Sequence, residues 1–311
     1  MKSTRCERRA HPAGIIRRLL TVVVLVGLGA LSGCSAVRLA YNQAPELAHW
    51  MLDDYADFNG AQSLQLKADL VQFQTWHRQT QLPAYAQTLQ QLQQQMPGDL
   101  TAAQVCSVAG EARARLKAAL NQAEPAASAL AATLQPAQLA VMKRKFDKGN
   151  SQWRSDFLDA TPQKISAKRL AQATDRAEMF YGPLNEAQQE LLKRQVEASG
   201  FDAATAYAER LRRQQDTLQT LRALTAPVAV NVPTAASPAS SAARPAIQAL
   251  LERLQQSPNA AYRRYQDALT QEGCSTVAAL HQRATPVQRQ KAVQALQDYA
   301  QSFRVLAAAA P

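Results

Sequence analysis

Apolar residues recur every three or four positions along most of the chain beyond residue 40. The spacing is regular in three sets: Leu82, Tyr85, Leu89, Leu92 and Met96; Leu139, Met142, Phe146, Trp153 and Phe157; and Leu296, Tyr299, Phe303 and Leu306. This period is typical of amphipathic helices that pack together, and no segment alternates apolar and polar residues for long enough to indicate a sheet. The pattern predicts an all-α protein, an elongated helical bundle of roughly six to eight helices.

Glycine and proline mark the predicted ends of helices. The breaks expected from this signal are Pro97–Gly98, Gly182–Pro183 and Gly273. Pro83 falls inside an apolar pattern and should kink or restart its helix, and Pro125 and Pro136 should bound a short Ala-rich element. One longer helix is expected between residues 192 and 221.

A segment rich in Pro, Ala and Ser separates two parts of the chain. Residues 225–246 hold four prolines and a single charged residue, so we expect a disordered loop there. The loop divides a main helical body, residues 34–224, from a C-terminal helical pair, residues 247–311. We expect this pair to pack back on the body.

A short polar motif recurs five times: a polar residue, two spacers and a glutamine. The copies are Asn59–Gln62, Thr101–Gln104, Gln135–Gln138, Asn185–Gln188 and Thr285–Gln288. The spacing is that of the capping box, in which the first side chain accepts from the amide three residues on and the glutamine reaches back. Gln135 is a weak cap, so its copy is degenerate. The motif predicts five helix starts.

The N-terminus has the pattern of a lipoprotein signal peptide. Six basic residues and one acidic residue lie in residues 1–18, and an uncharged apolar run of 13 residues follows, which is too short to span a bilayer. The run ends in Leu31, Ser32, Gly33 and Cys34. This ending resembles the bacterial lipobox.

The resemblance implies that residues 1–33 are a signal peptide that is removed and that Cys34 is lipidated. The alternative is an uncleaved N-terminal anchor. Ser35 stands where an Asp would imply retention in the inner membrane, so the resemblance implies an outer-membrane protein that faces the periplasm.

The charge of the chain changes once the signal peptide is set aside. The whole chain carries 35 basic and 24 acidic residues, a net charge of +11. Removing residues 1–33 takes away six basic residues and one acidic residue, which leaves 29 and 23 and a net charge of +6. A positive protein favours an anionic partner such as lipopolysaccharide, peptidoglycan carboxylates or phospholipid, and export argues against nucleic acid.

The basic residues are densest in one run. This run consists of Lys143, Arg144, Lys145 and Lys148, and it is echoed by Lys164, Lys168 and Arg169 and by Arg210, Arg212 and Arg213. Such a run is a solvated helix face or an electrostatic contact for lipopolysaccharide or an acidic envelope protein.

Two cysteines remain after the signal peptide and the lipidated residue are set aside. Cys106 and Cys274 lie 168 residues apart, and a pair of cysteines in an oxidising compartment favours a disulfide. The alternatives are two buried thiols or a catalytic thiol, although neither cysteine lies in a CxxC motif.

Candidate catalytic or metal-ligating residues are few. The histidines His49, His77 and His281 do not have the spacing of a helical metal site and are interpreted as surface or packing residues. Asp53, Asp54 and Asp57 form an acidic cluster that could bind a cation or could be a solvated helix edge. Nucleophile and nucleotide motifs are lacking, so we expect neither an enzyme nor a cofactor nor a metal.

Three aromatic residues follow the lipobox by 16 to 24 positions. Trp50, Tyr55 and Phe58 could enter the membrane interface, dock a partner or pack in the core, and the core is the expected place.

The same region carries a family resemblance. The residues are Leu39, Tyr41, Asn42 and Gln43, then Trp50, Asp53, Tyr55, Asp57 and Phe58. They resemble an uncharacterised family of proteobacterial lipoproteins with a Y-N-N and a W-x-x-D-x-Y segment after the lipobox Cys. This resemblance implies a location and a helical fold but no activity. Leu100 with Thr101–Gln104 also resembles the L-T-x-x-Q motif of periplasmic chaperones of the Spy and CpxP type.

The sequence therefore predicts a lipoprotein of the cell envelope with a non-enzymatic binding or scaffold role. The alternative is a membrane-tethered, chaperone-like holdase that offers an apolar helical face to unfolded clients. Neither the partner nor the oligomeric state follows from the sequence.

Overall fold

The computed structural model describes residues 33–225 and 238–309, and this part of the chain is all-helical, without a strand. The all-α class is confirmed. The expected number of six to eight helices is wrong, because the described residues form eleven. They are α1 (Gly33–Asn42), α2 (Ala44–Ala56), α3 (Gly60–Gln95), α4 (Ala102–Ala131), α5 (Pro136–Phe157), α6 (Pro162–Tyr181), α7 (Glu186–Glu197), α8 (Ala203–Thr225), α9 (Pro238–Gln255), α10 (Ala260–Gln282) and α11 (Pro286–Ala308).

Several expected helix breaks are absent. Helix α3 runs through Pro83, α4 runs through Pro125, and Gly273 lies inside α10. A proline in a helix removes one backbone hydrogen bond, and packing can outweigh that loss. At Pro83 the neighbouring Leu82 and Ala86 are both buried, so tertiary contacts hold the helix together across the proline.

An unexpected break divides the long helix predicted between residues 192 and 221. Helix α7 ends at Glu197 and α8 begins at Ala203. The turn between them is held by Glu272 of α10, whose carboxylate accepts from the Ser199 hydroxyl at 2.9 Å and from the Gly200 N–H at 3.2 Å. A contact with a distant helix therefore holds this turn in place, and the period of the apolar residues does not reveal it.

The predicted loop at residues 225–246 is partly helical. Helix α9 begins at Pro238, so residues 238–246 are helical, while residues 226–237 lie outside the described residues. Ala243 and Ile247 are buried, and α9 packs on both α4 and α8. The C-terminal part therefore contains three described helices where a pair was expected.

The chain divides into two compact units, residues 1–43 and 44–311. Within the second unit, α3 packs along α11, and α4 contacts α9 and α10. Helix α2 packs on α3 and α5, α5 packs on α8, and α6 packs on α7 and α11. The described C-terminal helices and the main body therefore share one unit.

Two buried apolar clusters hold the second unit together. The larger cluster gathers Met96, Leu100, Tyr181, Leu184, Leu191, Leu192, Leu280, Ala284, Ala292 and Leu296. The smaller cluster gathers Ala131, Leu134, Leu139, Leu221, Ile247 and Leu250, with Phe58 packed against it. Burial of each large side chain stabilises the fold by about 1.5–3 kcal/mol.

A disulfide joins α4 to α10. The sulfur atoms of Cys106 and Cys274 lie 2.05 Å apart, and the Cα atoms lie 5.4 Å apart. The bond closes a loop of 168 residues. In the chain-entropy account, a loop of this length restricts the unfolded state by up to about 5 kcal/mol.

None of the described helices combines the length and the apolar character needed to cross a membrane.

Candidate functional site

The five capping motifs all begin helices, as the sequence predicts. Helices α3, α4, α5, α7 and α11 start one residue after the first residue of each motif. In every copy the glutamine Oε1 accepts from the backbone N–H of the N-cap residue at 2.8–3.0 Å. In the Gln135 copy the N-cap residue is itself a glutamine, which is a weak cap.

Gln62 and Gln138 pair with each other, and we name this pair the first glutamine junction. Gln62 Nε2 donates to Gln138 Oε1 at 3.2 Å, and Gln138 Nε2 donates back to Gln62 Oε1 at 2.8 Å. Gln62 Nε2 also donates to the Thr133 carbonyl at 2.9 Å, and Gln138 Nε2 to the Asp57 carbonyl at 3.0 Å. Both buried amides therefore use their donors and acceptors in full.

Gln188 and Gln288 form the second glutamine junction in the same way. Gln188 Nε2 donates to Gln288 Oε1 at 2.7 Å, and Gln288 Nε2 donates back at 2.9 Å. The remaining donors go to the carbonyls of Arg283 at 2.9 Å and Pro183 at 3.0 Å. In both junctions each accepting carbonyl lies two residues before the partner's N-cap residue. The second junction therefore repeats the hydrogen-bond geometry of the first. Gln188 is only 1% exposed.

The fifth glutamine, Gln104, has no such partner. Its Nε2 donates to Gln95 Oε1 at 3.2 Å on the protein surface. The motif that matches L-T-x-x-Q is therefore the one outside the two junctions. The junctions hold four helix starts together in two pairs, and we assign them a structural role.

The basic run is partly neutralised by neighbouring carboxylates. Lys143 pairs with Asp147 at 2.6 Å, and Lys145 pairs with Asp54 of α2. Arg144 and Lys148 are exposed, and they form no ion pair with the described residues. The two unpaired cations lie one turn apart on α5.

The arginines of the group at residues 210–213 are occupied by internal contacts. Arg212 donates to Glu209 at 2.8 Å and Arg213 at 2.9 Å, and the buried carboxylate also accepts from Ser257 at 3.0 Å. Burial by itself would raise the pKa of Glu209, but these hydrogen bonds outweigh it and hold the pKa below its usual value. Arg210 donates to Asn150 at 2.7 Å. These arginines therefore stabilise α8 and the turn after α9.

Five large apolar side chains of α2 are exposed, Leu52 at 44% and Tyr55 at 41% among them, and three of the five share one side of the helix. Leu47 is 51% exposed, Trp50 69% and Met51 59%, and we name this set the α2 apolar face. Because the residues are spaced at i, i+3 and i+4, they share one side of the helix. The core position expected for Trp50 is wrong, whereas Phe58 packs against the smaller cluster as expected. Tyr55 is half-exposed, and its ring contacts Phe146 of α5 at 5.9 Å.

The α2 apolar face lies beside the basic run. The Lys145–Asp54 ion pair and the Tyr55–Phe146 ring contact join the second half of α2 to α5. At the other end of α2, Glu46 pairs with Lys67 of α3 at 3.2 Å. Leu64 and Val71, on the same side of α3 as Lys67, are also exposed. Solvent-facing apolar side chains and unpaired cations therefore occupy neighbouring helices.

His281 is fully buried and makes two hydrogen bonds. Its Nε2 lies 2.8 Å from the Gly98 carbonyl, so Nε2 carries the proton, and its Nδ1 accepts from the Tyr181 hydroxyl at 2.9 Å. Burial lowers the pKa of His281 and raises the pKa of Tyr181 to about 12. The ring is therefore a neutral link between α6, α10 and the turn after α3.

The remaining candidate residues have structural contacts. Burial lowers the pKa of His77, whose ring lies among those of Phe73, Trp76 and Tyr85. The Asp53 carboxylate accepts from the Phe58 N–H at 2.9 Å, and Asp57 closes the turn with a φ of 50°. The described residues contain no group of three side chains suited to a metal.

Two surface hollows, of about 450 and 460 Å³, lie elsewhere on the protein. The first is lined by Ile165, Arg169, Val196 and Phe201 among others, and the second by Leu170, Glu186, Glu190 and Lys193 among others. In the first, Arg169 already lies over the Phe201 ring at 4.5 Å and donates to Ser199 at 2.9 Å. The guanidinium of Arg169 is therefore used within the fold.

The predicted lipidation site falls at the edge of the structure. Leu31 and Ser32 lie outside the described residues, Gly33 is the first residue of α1, and the side chain of Cys34 is not among those described. Lipidation of Cys34 therefore stays a prediction.

Comparison with known proteins places the chain in a family. No curated protein and no solved structure matches it. Residues 54–228 match DUF6279, a family of unknown function, over more than half of the chain. The match begins after the α2 apolar face and contains the basic run, the first glutamine junction and Gln188. The chain therefore belongs to DUF6279, in agreement with the uncharacterised family expected from its sequence.

Proposed function

We propose that this protein is an outer-membrane lipoprotein that faces the periplasm and binds or organises other components of the envelope without catalysing a reaction. The observation that carries the proposal is the Leu31–Cys34 sequence, which ends an uncharged run behind a basic N-terminus. The exposed α2 apolar face, 13 to 17 residues after Cys34, supports it.

Lipidation is tested by labelling cells with a palmitate analogue and measuring the mass of the purified protein. We expect label on the wild-type protein and a mature N-terminus at acylated Cys34. Cys34→Ala should abolish the label and leave residues 1–33 attached, whereas the control Cys6→Ala should change neither result. Label that survives Cys34→Ala would overturn the proposal.

Sorting is tested by separating inner and outer membranes on a density gradient. We expect the wild-type protein in the outer-membrane fraction and Ser35→Asp in the inner-membrane fraction. An inner-membrane position of the wild-type protein would contradict the outer-membrane assignment and leave lipidation intact.

A tethered holdase is the second candidate. It is favoured by the solvent-facing apolar residues of α2 together with Leu64 and Val71 of α3, because such surfaces can take up unfolded segments. The test is suppression of aggregation of a reduced, unfolding client by the purified protein. Leu64→Ser with Val71→Ser should weaken suppression, whereas Leu116→Ser with Val287→Ser, equally exposed on α4 and α11, should not. No suppression by an excess of wild-type protein would remove the candidate.

A further inference from the structure

We propose that the α2 apolar face, with Arg144 and Lys148 of α5, lies in the headgroup region of the membrane leaflet that holds the lipid anchor. The inference rests on the proposed function, since it takes the lipidated Cys34 as the anchor. It adds a second membrane contact, made by the folded protein itself, and it states which end of the second unit faces the bilayer.

The orientation of α2 is the first argument. Ala48 and Ala56 lie on the sides of α2 that are wholly or partly covered, whereas Leu47, Trp50 and Met51 face solvent. A helix on the surface of a soluble bundle normally turns its large apolar residues inward and its polar residues outward. Helix α2 does the reverse with these three residues, and Leu52 next to Met51 is also exposed, so the helix offers a large apolar surface that the described residues do not cover.

The chain path is the second argument, and it selects the bilayer as that phase. Residues 34–42 and 44–50 are helical, and a helix rises about 1.5 Å per residue. The Cα atoms of Cys34 and Trp50 can therefore lie no more than about 30 Å apart. An acyl group on Cys34 thus keeps the α2 apolar face within reach of the leaflet surface at all times.

Charge is the third argument. Arg144 and Lys148 are exposed without an ion pair to the described residues, and α5 is fixed to α2 through Lys145 and Asp54. Unpaired cations beside an apolar helix face are typical of surfaces that bind anionic leaflets, where phosphate groups take up the positive charge. Tryptophan also favours the interface between headgroups and acyl chains.

The experiment uses the intact protein, purified from membranes and reconstituted into vesicles of phosphatidylethanolamine and phosphatidylglycerol. Tryptophan emission is measured with lipids brominated near the headgroup, which quench only rings at that depth. We expect strong quenching of the wild-type protein and loss of most of it in Trp50→Phe. The controls Trp76→Phe and Trp153→Phe should retain the quenching, because Trp76 packs beside Phe73 and Trp153 stacks on Tyr207.

The basic residues are tested in the same vesicles and in vesicles of phosphatidylcholine alone. The double variant Arg144→Gln/Lys148→Gln should lose quenching of Trp50 in the anionic vesicles and match the wild type in the neutral ones. The control is Lys164→Gln/Arg222→Gln, which removes two exposed charges elsewhere and should leave quenching unchanged in both. An equal loss in the two lipid mixtures would overturn the part assigned to the cations.

Failure of this inference and failure of the proposed function give different results. If mass measurement shows no acyl group on Cys34, the proposed function falls, whatever the quenching. If the protein is acylated but Trp50 is quenched by aqueous acrylamide and not by brominated lipid, the docking proposal falls and lipidation stands. If neither reagent quenches Trp50, a second copy or a bound protein covers the face, and the docking proposal is also overturned.

Discussion

The two glutamine junctions and the lone Thr101–Gln104 box begin with the same local motif and end in different surroundings. In each junction two glutamines are buried and bonded to each other, across 76 residues in the first and 100 in the second. Gln104 stays at the surface. Its helix is fixed in another way, since Cys106, two residues further on, is bonded to Cys274 of α10.

The difference separates two tasks of one motif. Starting a helix needs only the N-cap residue and the reaching glutamine, and all five boxes do this. Joining two helix starts needs the amide hydrogens of the glutamine as well. A carboxylate could replace the amide in the first task but not in the second, because it lacks donors.

The largest effect should come from replacing a junction amide with a carboxylate. Gln188→Glu removes two donors and places a charge opposite the Oε1 of Gln288 in a buried site. We expect a loss of about 3–5 kcal/mol in the free energy of unfolding at neutral pH. Denaturant unfolding followed by circular dichroism measures it.

The matched control is Gln104→Glu. Glutamate suits the capping box, and a negative charge near a helix N-terminus is favourable, so stability should stay the same or rise by about 0.3–1 kcal/mol. If both variants lost the same free energy of unfolding, the pairing of glutamines in the junction would contribute no stability beyond that of the capping box.

A somewhat smaller effect is expected from removing the disulfide. Cys106→Ser with Cys274→Ser should lower the free energy of unfolding by about 2–4 kcal/mol, because the unfolded chain regains the freedom that the loop closure removed. Hydrogen exchange should rise at the start of α4 more than at the four paired helix starts. An equal rise in hydrogen exchange at all five helix starts would contradict the idea that the disulfide fixes α4 in place of a glutamine partner.

A double-mutant cycle measures the pairing itself. Gln62→Ala, Gln138→Ala and the double variant should give a coupling energy of about 1–2 kcal/mol, because each single change leaves a buried amide without a partner. The same cycle on Gln104 and Gln95 should give a coupling near zero, since both lie at the surface. A coupling energy of similar size in the two cycles would show that the buried glutamine pair is no more strongly coupled than the surface pair.

Acidification should affect the second junction before the first. His281 lies one turn before the Thr285 box, and burial, with a smaller contribution from Arg289, lowers its pKa, against opposing contributions from Gly98 and Asp99. A histidine with a lowered folded pKa stabilises the protein above its unfolded pKa, and this stability is lost as the pH falls from about 6.5 towards the folded value.

We therefore expect the hydrogen-exchange protection factors around Gln188 and Gln288 to fall below neutral pH, while those around Gln62 and Gln138 change little. His281→Gln should remove part of this pH dependence, and His77, whose pKa is also lowered, accounts for a further part. An equal response at the two junctions would show that His281 is not its cause.

Much of the fold follows from local sequence. The period of the apolar residues and the five boxes predicted the helical class and the starts of α3, α4, α5, α7 and α11. The pairing of the boxes was missed, although a signal exists, since each junction joins an Asn-capped box to a box with proline after the cap. Which box meets which depends on packing between distant helices, and local patterns do not carry that information.

The wrong predictions share one cause: each depends on packing between parts of the chain that are distant in sequence. The sequence predicts a kink or a restart at Pro83, but α3 is continuous there and the neighbouring Leu82 and Ala86 are buried. The turn between α7 and α8 is held by Glu272, which is 73 residues from Ser199 in sequence. The sequence predicts Trp50 in the core, and only the packing of α2 shows that its side chain faces outward.

The packing of α3 along α11 has a consequence for the order of events during synthesis. Arg304 of α11 donates to Gln90 of α3 across 214 residues, and the ring of Phe303 lies 6.0 Å from that of Tyr85. A ribosome makes α3 before α11, so the side of α3 that packs on α11 lacks that partner until residues 286–308 have been made. Contacts of such long range slow folding. A growing chain that lacks α11 should therefore expose Tyr85 and its neighbours on α3.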